Sequence, residues 1–570
     1  MRPNFFEKYS IYLILIFALI LRYRGINYGL PYIYRDEGRF LNPSIKMLVT
    51  GDLNPHWFGH PGSFVMYLLL LLFSIYFIFY FLFGYVHNLS DFQQLFSNDP
   101  SLFYLGGRLL MILFALLTIY LVYLITKNLL NRTVSILASF LLAISPLHTE
   151  YSRVIRTDIA ATMLVMFSIY FLLRFVDSQN KNTKLLILSS LFAGFSIATK
   201  YTAGVIIFPI LIHCLIVNSK QKCSLKYEKK IINLFNLKNI FNIAAIFIFI
   251  GFLIFAPFVL LDPFHAINDI MIENRGTHMG QEKLPGIQNY LWYLTFSLRG
   301  GIGGLFFEMF AGLGLLLIIY KKSCEKYLFL IFPVLYFLIV GSMKLRWQHW
   351  FIPILPFEAI FFGLGYYYCY KYIIQRKIFQ DTKPKIFFHT TRTIYSVFVV
   401  IIILGSLPPI INDINEGTKL SRLDTRTTAK IWIENNLPNG SIIEYDIAGP
   451  QLKKWPRNNF TTTDWGWYRG GLKPLSYYKN QSVDYIIITN AYIYKEMYYK
   501  EPGKYAKEIS NYNELLNGSE LIKIFDNKED PGPIIEIYRI RSVDGIIIYL
   551  KSIRNISGKI LSPSPQQAPV

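Results

Sequence analysis

The chain has 570 residues, of which 53% are hydrophobic and 17% aromatic, and it carries a formal net charge of +21 at pH 7. Its mean hydropathy of +0.35 is too high for an ordinary soluble protein. The lysines and arginines lie mostly in short loops between apolar runs, which is typical of a membrane protein and argues against nucleic-acid binding. We therefore expect an integral membrane protein whose partners include membrane lipids and no nucleic acid.

The first apolar run predicts an uncleaved N-terminal helix. A basic start precedes it, but Arg22, Tyr23 and Arg24 follow and no small-residue cleavage site is present. Including this helix, eleven apolar runs are predicted to cross the hydrocarbon core of the membrane, which is about 30 Å thick. They are 5–24, 104–126, 133–147, 158–176, 185–199, 203–217, 241–261, 303–320, 327–342, 350–370 and 393–411.

The apolar run at 64–86 is ambiguous, and the side on which every later loop lies depends on it. If it does not cross, five basic loops all lie in the cytoplasm, as the distribution of positive charge in membrane proteins favours. These loops are 127–132, 181–184, 220–238, 321–326 and 371–392. We therefore predict a re-entrant or surface-lying helix on the outer face. The alternative is that 64–86 crosses and a second ambiguous run keeps the basic loops in the cytoplasm. The N-terminus is then cytoplasmic, in a protein of the plasma membrane.

From about residue 423 the sequence predicts an α/β fold. The segment 424–440 has the pattern of an amphipathic helix with Ile431, Ile433 and Leu437 on its apolar side. The segments SIIEYDI, VDYIIITN, ELIKIFD and PIIEIYRI are rich in β-branched residues and predict strands.

The predicted architecture is a polytopic α-helical membrane protein with about eleven crossings, outer-face surface helices and a C-terminal α/β domain. We place the membrane domain at 1–411 and the extracytoplasmic α/β domain at 412–560. The segment 561–570, SPSPQQAPV and the residue before it, is predicted to be a disordered tail.

An acidic pair, Asp36 and Glu37, directly follows the first helix, next to Arg35. A partly desolvated carboxylate at a membrane boundary is a better base than one in water, and it can take a proton from a substrate hydroxyl. A solvated turn explains the same two residues. Asp36 and Glu37 are therefore candidate catalytic residues, and Arg35 is a candidate substrate-binding residue.

Several cations are predicted at the same face. Arg153 and Arg156 are three residues apart, so on a helix they would share a side. Asp158 begins the next apolar run, where a carboxylate is costly unless it is paired, although a helix N-cap explains it equally. Lys200, between two apolar runs, needs an anionic partner.

An anionic partner is also needed by three residues before the run FIPILPF, namely Lys344, Arg346 and His349. Each cation alone is explained as an interfacial anchor. Together they predict a basic ring around the acidic pair, and a lipid phosphate is the natural anion for such a ring.

Five histidines are expected at this face, and none has the spacing of metal ligands. They are His60, His148, His265, His278 and His349. A structural hydrogen-bond donor explains His60 as well as a site residue does. We predict no cofactor, and a divalent metal is left open.

The ordered motifs resemble the GT-C superfamily of integral-membrane glycosyltransferases. The likeness is to the branch that holds the dolichyl-phosphate-mannose protein mannosyltransferases and the bacterial aminoarabinose transferase of lipid A, and it covers nearly all of 1–411. The motifs are RDEGRF, HPGS, GGRLLMILFALLTIYLVYLITKNLL, SPLHTEYSRVIRTD, GFSIATKYTAGVIIFPIL and LRWQHWFIPILPF. HPGS lacks the second proline common in the family, and LRWQHW has Trp and His where Arg-Tyr pairs are frequent.

The resemblance implies an inverting transfer of a sugar from a polyprenyl-phosphate donor to a hydroxyl of a protein, lipid or glycan, with Asp36 as the catalytic base. It implies that cations stabilise the departing phosphate. The predicted donor-phosphate residues are His60, Arg153, Arg156, Lys200 and Arg346, and the predicted substrate-binding residues are Arg35, Asp158, Tyr201 and His349.

Two other functions fit an apolar polytopic chain. A transporter or lipid-linked-sugar flippase predicts charges inside the crossings and repeat symmetry, whereas here the charges cluster at one face and no repeat is visible. A membrane-anchored binding protein would have its function in residues 412–570.

Overall fold

A computed structural model describes most of the chain, which forms two compact units, Met1–Ser421 and Arg422–Val570. The described residues are 5–31, 36–59, 62–224, 239–276, 282–320, 327–378, 384–446, 448–452, 459–465, 473–490, 502–503 and 505–540. The first unit ends after the predicted last crossing at 411. The predicted tail at 561–570 lies outside the described residues.

The first unit is helical throughout. Its helices are α1 (Phe5–Tyr23), α2 (Gly38–Thr50), α3 (Ser63–Leu82), α4 (Leu89–Asn98), α5 (Ser101–Leu129), α6 (Arg132–Ala143), α7 (Pro146–Ser152), α8 (Thr157–Asp177), α9 (Thr183–Thr199), α10 (Ile207–Ser224), α11 (Ile240–Phe255), α12 (Phe258–Leu261), α13 (Pro263–Glu273), α14 (Gln288–Trp292), α15 (Arg299–Ile302), α16 (Leu305–Tyr320), α17 (Tyr327–Ser342), α18 (Leu355–Ile378) and α19 (Pro384–Leu420). Short 3₁₀ segments precede α10 and α18, and a π-helical segment precedes α15.

Every predicted crossing coincides with an apolar helix. Among the described residues, five helical stretches are long and apolar enough to cross a membrane, and they contain α3, α5, α8, α18 and α19. Two bent pairs, α6 with α7 and 288–302 with α16, pass the same test together, and α1, α9, α10, α11 and α17 are shorter apolar helices. These helices support an integral membrane protein, and the number that cross stays a prediction.

Contacts between helix ends define one end of the bundle, which we call the site end. Arg22, in the last turn of α1, donates to a carbonyl at the end of α6. Arg108, near the start of α5, pairs with Glu37 just after α1. Asp158, at the start of α8, pairs with Lys200, which directly follows α9. Alternate helices therefore enter and leave the bundle at this end, as the predicted order of loops requires.

The start and the middle of α3 both contact elements at the site end. Ser63 donates to a carbonyl in the last turn of α9, and Phe64 packs against Phe255 at the end of α11. Farther along α3, Phe73 packs against Phe103 in the first turn of α5. Because α5 also begins at the site end, α3 has not traversed the bundle between these contacts. This favours the predicted non-crossing helix, even though α3 is long and apolar enough to span.

The second unit packs helices on both faces of a five-stranded sheet. Its elements are α20 (Thr425–Asn436), β1 (Ile442–Asp446), β2 (Thr461–Trp465), α21 (Leu475–Asn480), β3 (Tyr485–Thr489), α22 (Ala506–Gly518), β4 (Ser519–Phe525) and β5 (Ile535–Ile540). The strand order is β2-β1-β3-β5-β4. β1 pairs in parallel with β2 and β3, whereas β5 pairs antiparallel with β3 and β4.

The four predicted strands are present, and two details of the prediction are wrong. β2 was missed because its sequence, TTTDW, lacks the run of Ile and Val that marks the other strands. The apolar side is formed by Ala429 and Ile433 of α20 and by Leu437, which follows the last residue of the helix, whereas Ile431 is exposed. Ile431 is two residues from both Ala429 and Ile433, which places it on the opposite side of the helix.

Helices α16 and α18 pack closely enough that Gly314 is required at their contact. A Cβ atom at Gly314 would overlap the carbonyl oxygen of Phe361, whereas a Cβ atom at Gly312 would meet nothing within 4 Å. We expect Gly314→Ala to lower the free energy of unfolding by about 1–3 kcal/mol because the helices must separate. Thermal unfolding of the purified chain measures the effect. Gly312→Ala, on the same helix, is the control, and equal melting temperatures for the two variants would contradict the packing.

Candidate functional site

The segment after α1 is held by a buried ion pair. The Arg108 guanidinium donates from Nε to Oε1 of Glu37 at 2.9 Å and from Nη2 to Oε2 at 2.7 Å. The Tyr28 hydroxyl and the Ile155 backbone N–H also donate to this carboxylate, at 3.2 and 3.0 Å. The Arg108 and Glu37 side chains are 1% and 0% exposed. These contacts give Glu37 a structural role, and the catalytic role that we predicted for it stays a prediction.

Arg108 is the residue that sequence reasoning missed. It lies seven positions after the first residue of α5, among Gly, Leu, Met and Ile. A guanidinium in such an apolar run is costly unless it is paired, which was the available signal. Its remaining nitrogen, Nη1, donates to the carbonyls of Ile26 and Tyr28 at 2.6 and 3.0 Å. Arg108 thus anchors both sides of the turn that leads from α1 to Glu37.

Asp36, the neighbour of Glu37, lies on the surface of a small pocket. Its side chain is 48% exposed, and its nearest ion-pair partner is Arg39 at 4.0 Å. The pocket is lined by Asp36, Arg39, Phe40, Arg156, Thr157, Asp158, Lys200, His349 and Trp350. Five predicted site residues, Asp36, Arg156, Asp158, Lys200 and His349, thus meet at one place.

Opposite charges face each other inside this pocket. Lys200 donates from Nζ to Oδ1 of Asp158 at 2.5 Å, and Arg156 Nε lies 3.6 Å from Oδ2 of the same carboxylate. Arg156 also donates from Nη2 to Nε2 of His349 at 3.0 Å, so this ring nitrogen is the acceptor. Burial lowers the pKa of Lys200, and the adjacent Asp158 carboxylate opposes this shift. The pocket therefore holds its cations around an anion of the chain itself.

The predicted pairing of Arg153 with Arg156 on one helical side is wrong. α7 ends at Ser152 and α8 begins at Thr157, so the two arginines lie in the turn between helices. Arg153 is buried and donates from Nη2 to the carbonyl of Leu21 at 2.5 Å, whereas Arg156 lines the pocket. Asp158 is the second residue of α8, where it pairs with Lys200 rather than acting as the N-cap.

A second, larger pocket adjoins the first and shares Lys200 and Trp350 with it. It is lined by Gly59, Lys200, Tyr201, Thr202, Glu273, Asn274, Arg275, Met343, Lys344, Leu345 and Trp350. The predicted residue Tyr201 is here, and Arg275 and Lys344 add positive charge. Arg346, which we predicted as a phosphate ligand, lines neither pocket and lies 5.1 Å over the Trp292 ring.

Three predicted positions are outside the described residues, namely Arg35, His60 and His278. Within the described part of the chain, no group of three or more His, Cys, Asp or Glu side chains has an arrangement that could hold a metal ion.

Comparison with known proteins finds one family model that matches part of the chain. Residues 93–259 match the family model described as dolichyl-phosphate-mannose-protein mannosyltransferase. The predicted resemblance to GT-C membrane glycosyltransferases is confirmed. The matched segment contains α5 to α11 and includes Arg108, Asp158 and Lys200, and it supports sugar transfer by a GT-C enzyme in a membrane. Asp36 lies before the segment. No curated protein matches the chain.

Solved structures of two membrane-protein relatives are similar to the chain at low identity. ArnT from Cupriavidus metallidurans bound to undecaprenyl phosphate has a TM-score of 0.48 at 13% identity, covering 92% of this chain and 97% of that chain. ArnT in the apo state gives 0.49 at 12% identity, with the same coverage. The apo oligosaccharyltransferase of Archaeoglobus fulgidus gives 0.48 at 10% identity, covering 85% of this chain and 70% of that chain.

Neutralisation of the two adjacent carboxylates should affect the free energy of unfolding differently. We expect Glu37→Gln to lower the free energy of unfolding by about 3–5 kcal/mol because the buried Arg108 guanidinium loses its counter-charge. Asp36→Asn should leave the free energy of unfolding unchanged, since this side chain is half-exposed. Thermal unfolding in detergent compares the two, and the double variant Glu37→Gln, Arg108→Met should recover part of the loss. Similar melting temperatures for both single variants would contradict the structural role of Glu37.

Proposed function

We propose that the chain is an inverting glycosyltransferase that moves a sugar from a polyprenyl-phosphate donor to a hydroxyl acceptor on the extracytoplasmic face. The observation that carries the proposal is the small pocket, which is lined by the half-exposed carboxylate Asp36 and by the cations Arg156 and Lys200. Such a pocket offers both things that a single displacement needs: a base for the acceptor hydroxyl and positive charge for the leaving phosphate. The family match over 93–259 supports sugar transfer as the reaction.

Asp36 is the proposed base because its oxygen atoms have fewer close partners than those of Asp158, the other carboxylate of the pocket. Asp158 is held by Lys200 at 2.5 Å and by Arg156 at 3.6 Å. Within the described ranges, the ion pair of Asp36 is the loose one with Arg39 at 4.0 Å, so its oxygen atoms can accept a proton from a bound hydroxyl. The deprotonated oxygen attacks the anomeric carbon while the bond from that carbon to the phosphate oxygen breaks, which inverts the anomeric configuration.

The larger pocket is the proposed site of the donor phosphate. Lys200, Arg275 and Lys344 line it, and guanidinium and ammonium groups are the side chains that bind phosphate well. Lys200 and Trp350 line both pockets, which supports a phosphate position next to the small pocket that Asp36 and Arg156 line. The leaving polyprenyl phosphate is already an anion, so the mechanism requires no general acid. His60 and Arg35 remain proposed contacts on the basis of the resemblance alone.

The predicted topology puts this chemistry outside the cytoplasm. If α3 does not cross, the site end faces outward and the five basic loops face the cytoplasm, in agreement with their charge. The second unit, which follows α19, is then extracytoplasmic as well.

Removing the proposed base tests the function. We expect Asp36→Asn to reduce transfer from a polyprenyl-phosphate sugar by about 10²–10⁴-fold, because the amide cannot accept the proton. Asp52→Asn is the control, since Asp52 has the same 48% exposure but lies outside both pockets. Transfer is measured in membranes at equal amounts of folded protein. An Asp36→Asn variant as active as the Asp52→Asn variant would refute the assignment.

A matched pair of lysines tests the donor pocket. Lys344 and Lys283 each donate from Nζ to a backbone carbonyl at 3.2 Å, but only Lys344 lines the larger pocket. We expect Lys344→Gln to raise the KM for the polyprenyl-phosphate donor about tenfold or more, since a charge-assisted hydrogen bond contributes about 1.5–3 kcal/mol. The KM for the acceptor should not change. Equal donor KM values for Lys344→Gln and Lys283→Gln would place the phosphate elsewhere.

A further inference from the structure

Helix α13 has three chemically different faces, and the first of them packs on the segment between α2 and α3. Asp269 accepts from the backbone N–H of Phe58 at 2.8 Å, and Glu273 lies 3.8 Å from Arg39. Ala266, on the same side of the helix, is buried. These residues recur every three or four positions, as one face of a helix requires. This inner face fixes α13 beside the two pockets.

The second face of α13 is apolar and exposed. Phe264 is 87% exposed, Met271 69% and Ile267 55%, and their spacing of three and seven residues places them on one side of the helix. Leu260 and Leu261 of the preceding α12 are also exposed. The row contains large side chains that water solvates poorly, and nothing in the described part of the chain covers them.

The third face of α13 is exposed and carries two polar residues. Asn268 and His265 lie between the apolar row and the inner face, the His265 side chain is 75% exposed, and Ile272 in the last turn, 54% exposed, projects between them. A helix with adjoining apolar and polar exposed faces is the pattern of a helix that lies in the plane of a membrane surface. A helix surrounded by lipid would not carry the polar face, and one in water would not carry the apolar row.

The position of α13 in the chain puts it within reach of a bilayer surface. α11 is an apolar helix whose Phe249 and Ile254 are exposed, as side chains that face lipid are. Only residues 256–262 separate the end of α11 from the start of α13, a distance of about 25 Å at most when fully extended. The exposed leucines of α12 occupy this connection and continue the apolar surface of α11 into the row on α13.

We propose that α13 is seated in the membrane surface, with Phe264, Ile267 and Met271 inserted at the boundary between headgroups and acyl chains. The occupant of the apolar row is the lipid bilayer itself. His265 and Asn268 then face water, and the inner face holds the segment that leads to α3. On the proposed function, this seating fixes the depth of the donor pocket, because Glu273 at the end of α13 lines that pocket and pairs with Arg39.

The environment of single positions on α13 tests the seating in the full chain. The four cysteines are replaced by serine, and one cysteine is introduced by Phe264→Cys, Met271→Cys or Asn268→Cys and labelled with the fluorophore NBD. In phospholipid nanodiscs we expect blue-shifted emission at 264 and 271, with quenching by lipids that carry a nitroxide near the headgroup. The label at 268 should emit as in water and resist this quenching. Equal emission and equal quenching at the three positions would overturn the proposal.

A second measurement avoids replacing the cysteines. The photo-reactive residue p-benzoylphenylalanine is placed at 264 or at the adjacent position 265 in the otherwise unchanged chain. We expect light to attach phospholipid to the chain at 264 and not at 265, and attachment at neither position would overturn the proposal. Both readouts are independent of sugar transfer. Loss of activity in Asp36→Asn and seating of α13 are therefore judged separately.

Discussion

The buried contact between Arg108 and Glu37 is the interaction on which the site depends. It joins α5 to the turn after α1, and through the Ile155 backbone N–H it also holds the segment between α7 and α8. A charge pair in an apolar bundle is stable only when both members have their hydrogen bonds satisfied, and here Tyr28 and two backbone carbonyls complete the set. Both sides of the small pocket are thus positioned by one guanidinium.

The neighbouring acids illustrate how one turn can separate structural and chemical roles. Glu37 points into the bundle, where every oxygen has a donor, whereas Asp36 points to the pocket surface with its oxygens largely free. Because the buried ion pair holds Glu37 in place, the backbone of the adjacent Asp36 is held in place as well. A base on such a turn keeps its position without giving up its hydrogen-bonding capacity to the protein, which is what proton transfer to a fixed group demands.

Much of the fold and part of the site could be predicted from the sequence. Apolar length alone placed the helices, and the charge of the loops predicted that 64–86 does not cross, which the contacts of Ser63 and Phe73 favour. The costs of isolated charges also pointed to Asp158 and Lys200, which pair with each other.

The partner of Glu37 was not predictable in the same way, because Arg108 is 71 residues away and only the packing of α5 brings it near. The spacing of Arg153 and Arg156 also gave a wrong prediction, because a helix was assumed where the chain forms the turn between α7 and α8. Arg346, which was predicted from the family likeness, lines neither pocket, and its contact with the donor phosphate stays a prediction.

The pairing of Lys200 with Asp158 has a consequence for the enzyme before any lipid arrives. Several cations confined to one small space repel each other, and a site with nothing bound would tend to splay. Asp158 substitutes for the missing phosphate by holding Lys200 and Arg156 together. On the proposed function, an incoming donor phosphate finds these cations already in position and competes with Asp158 for them. This competition lowers the affinity for the donor and helps the polyprenyl phosphate to leave after each turnover.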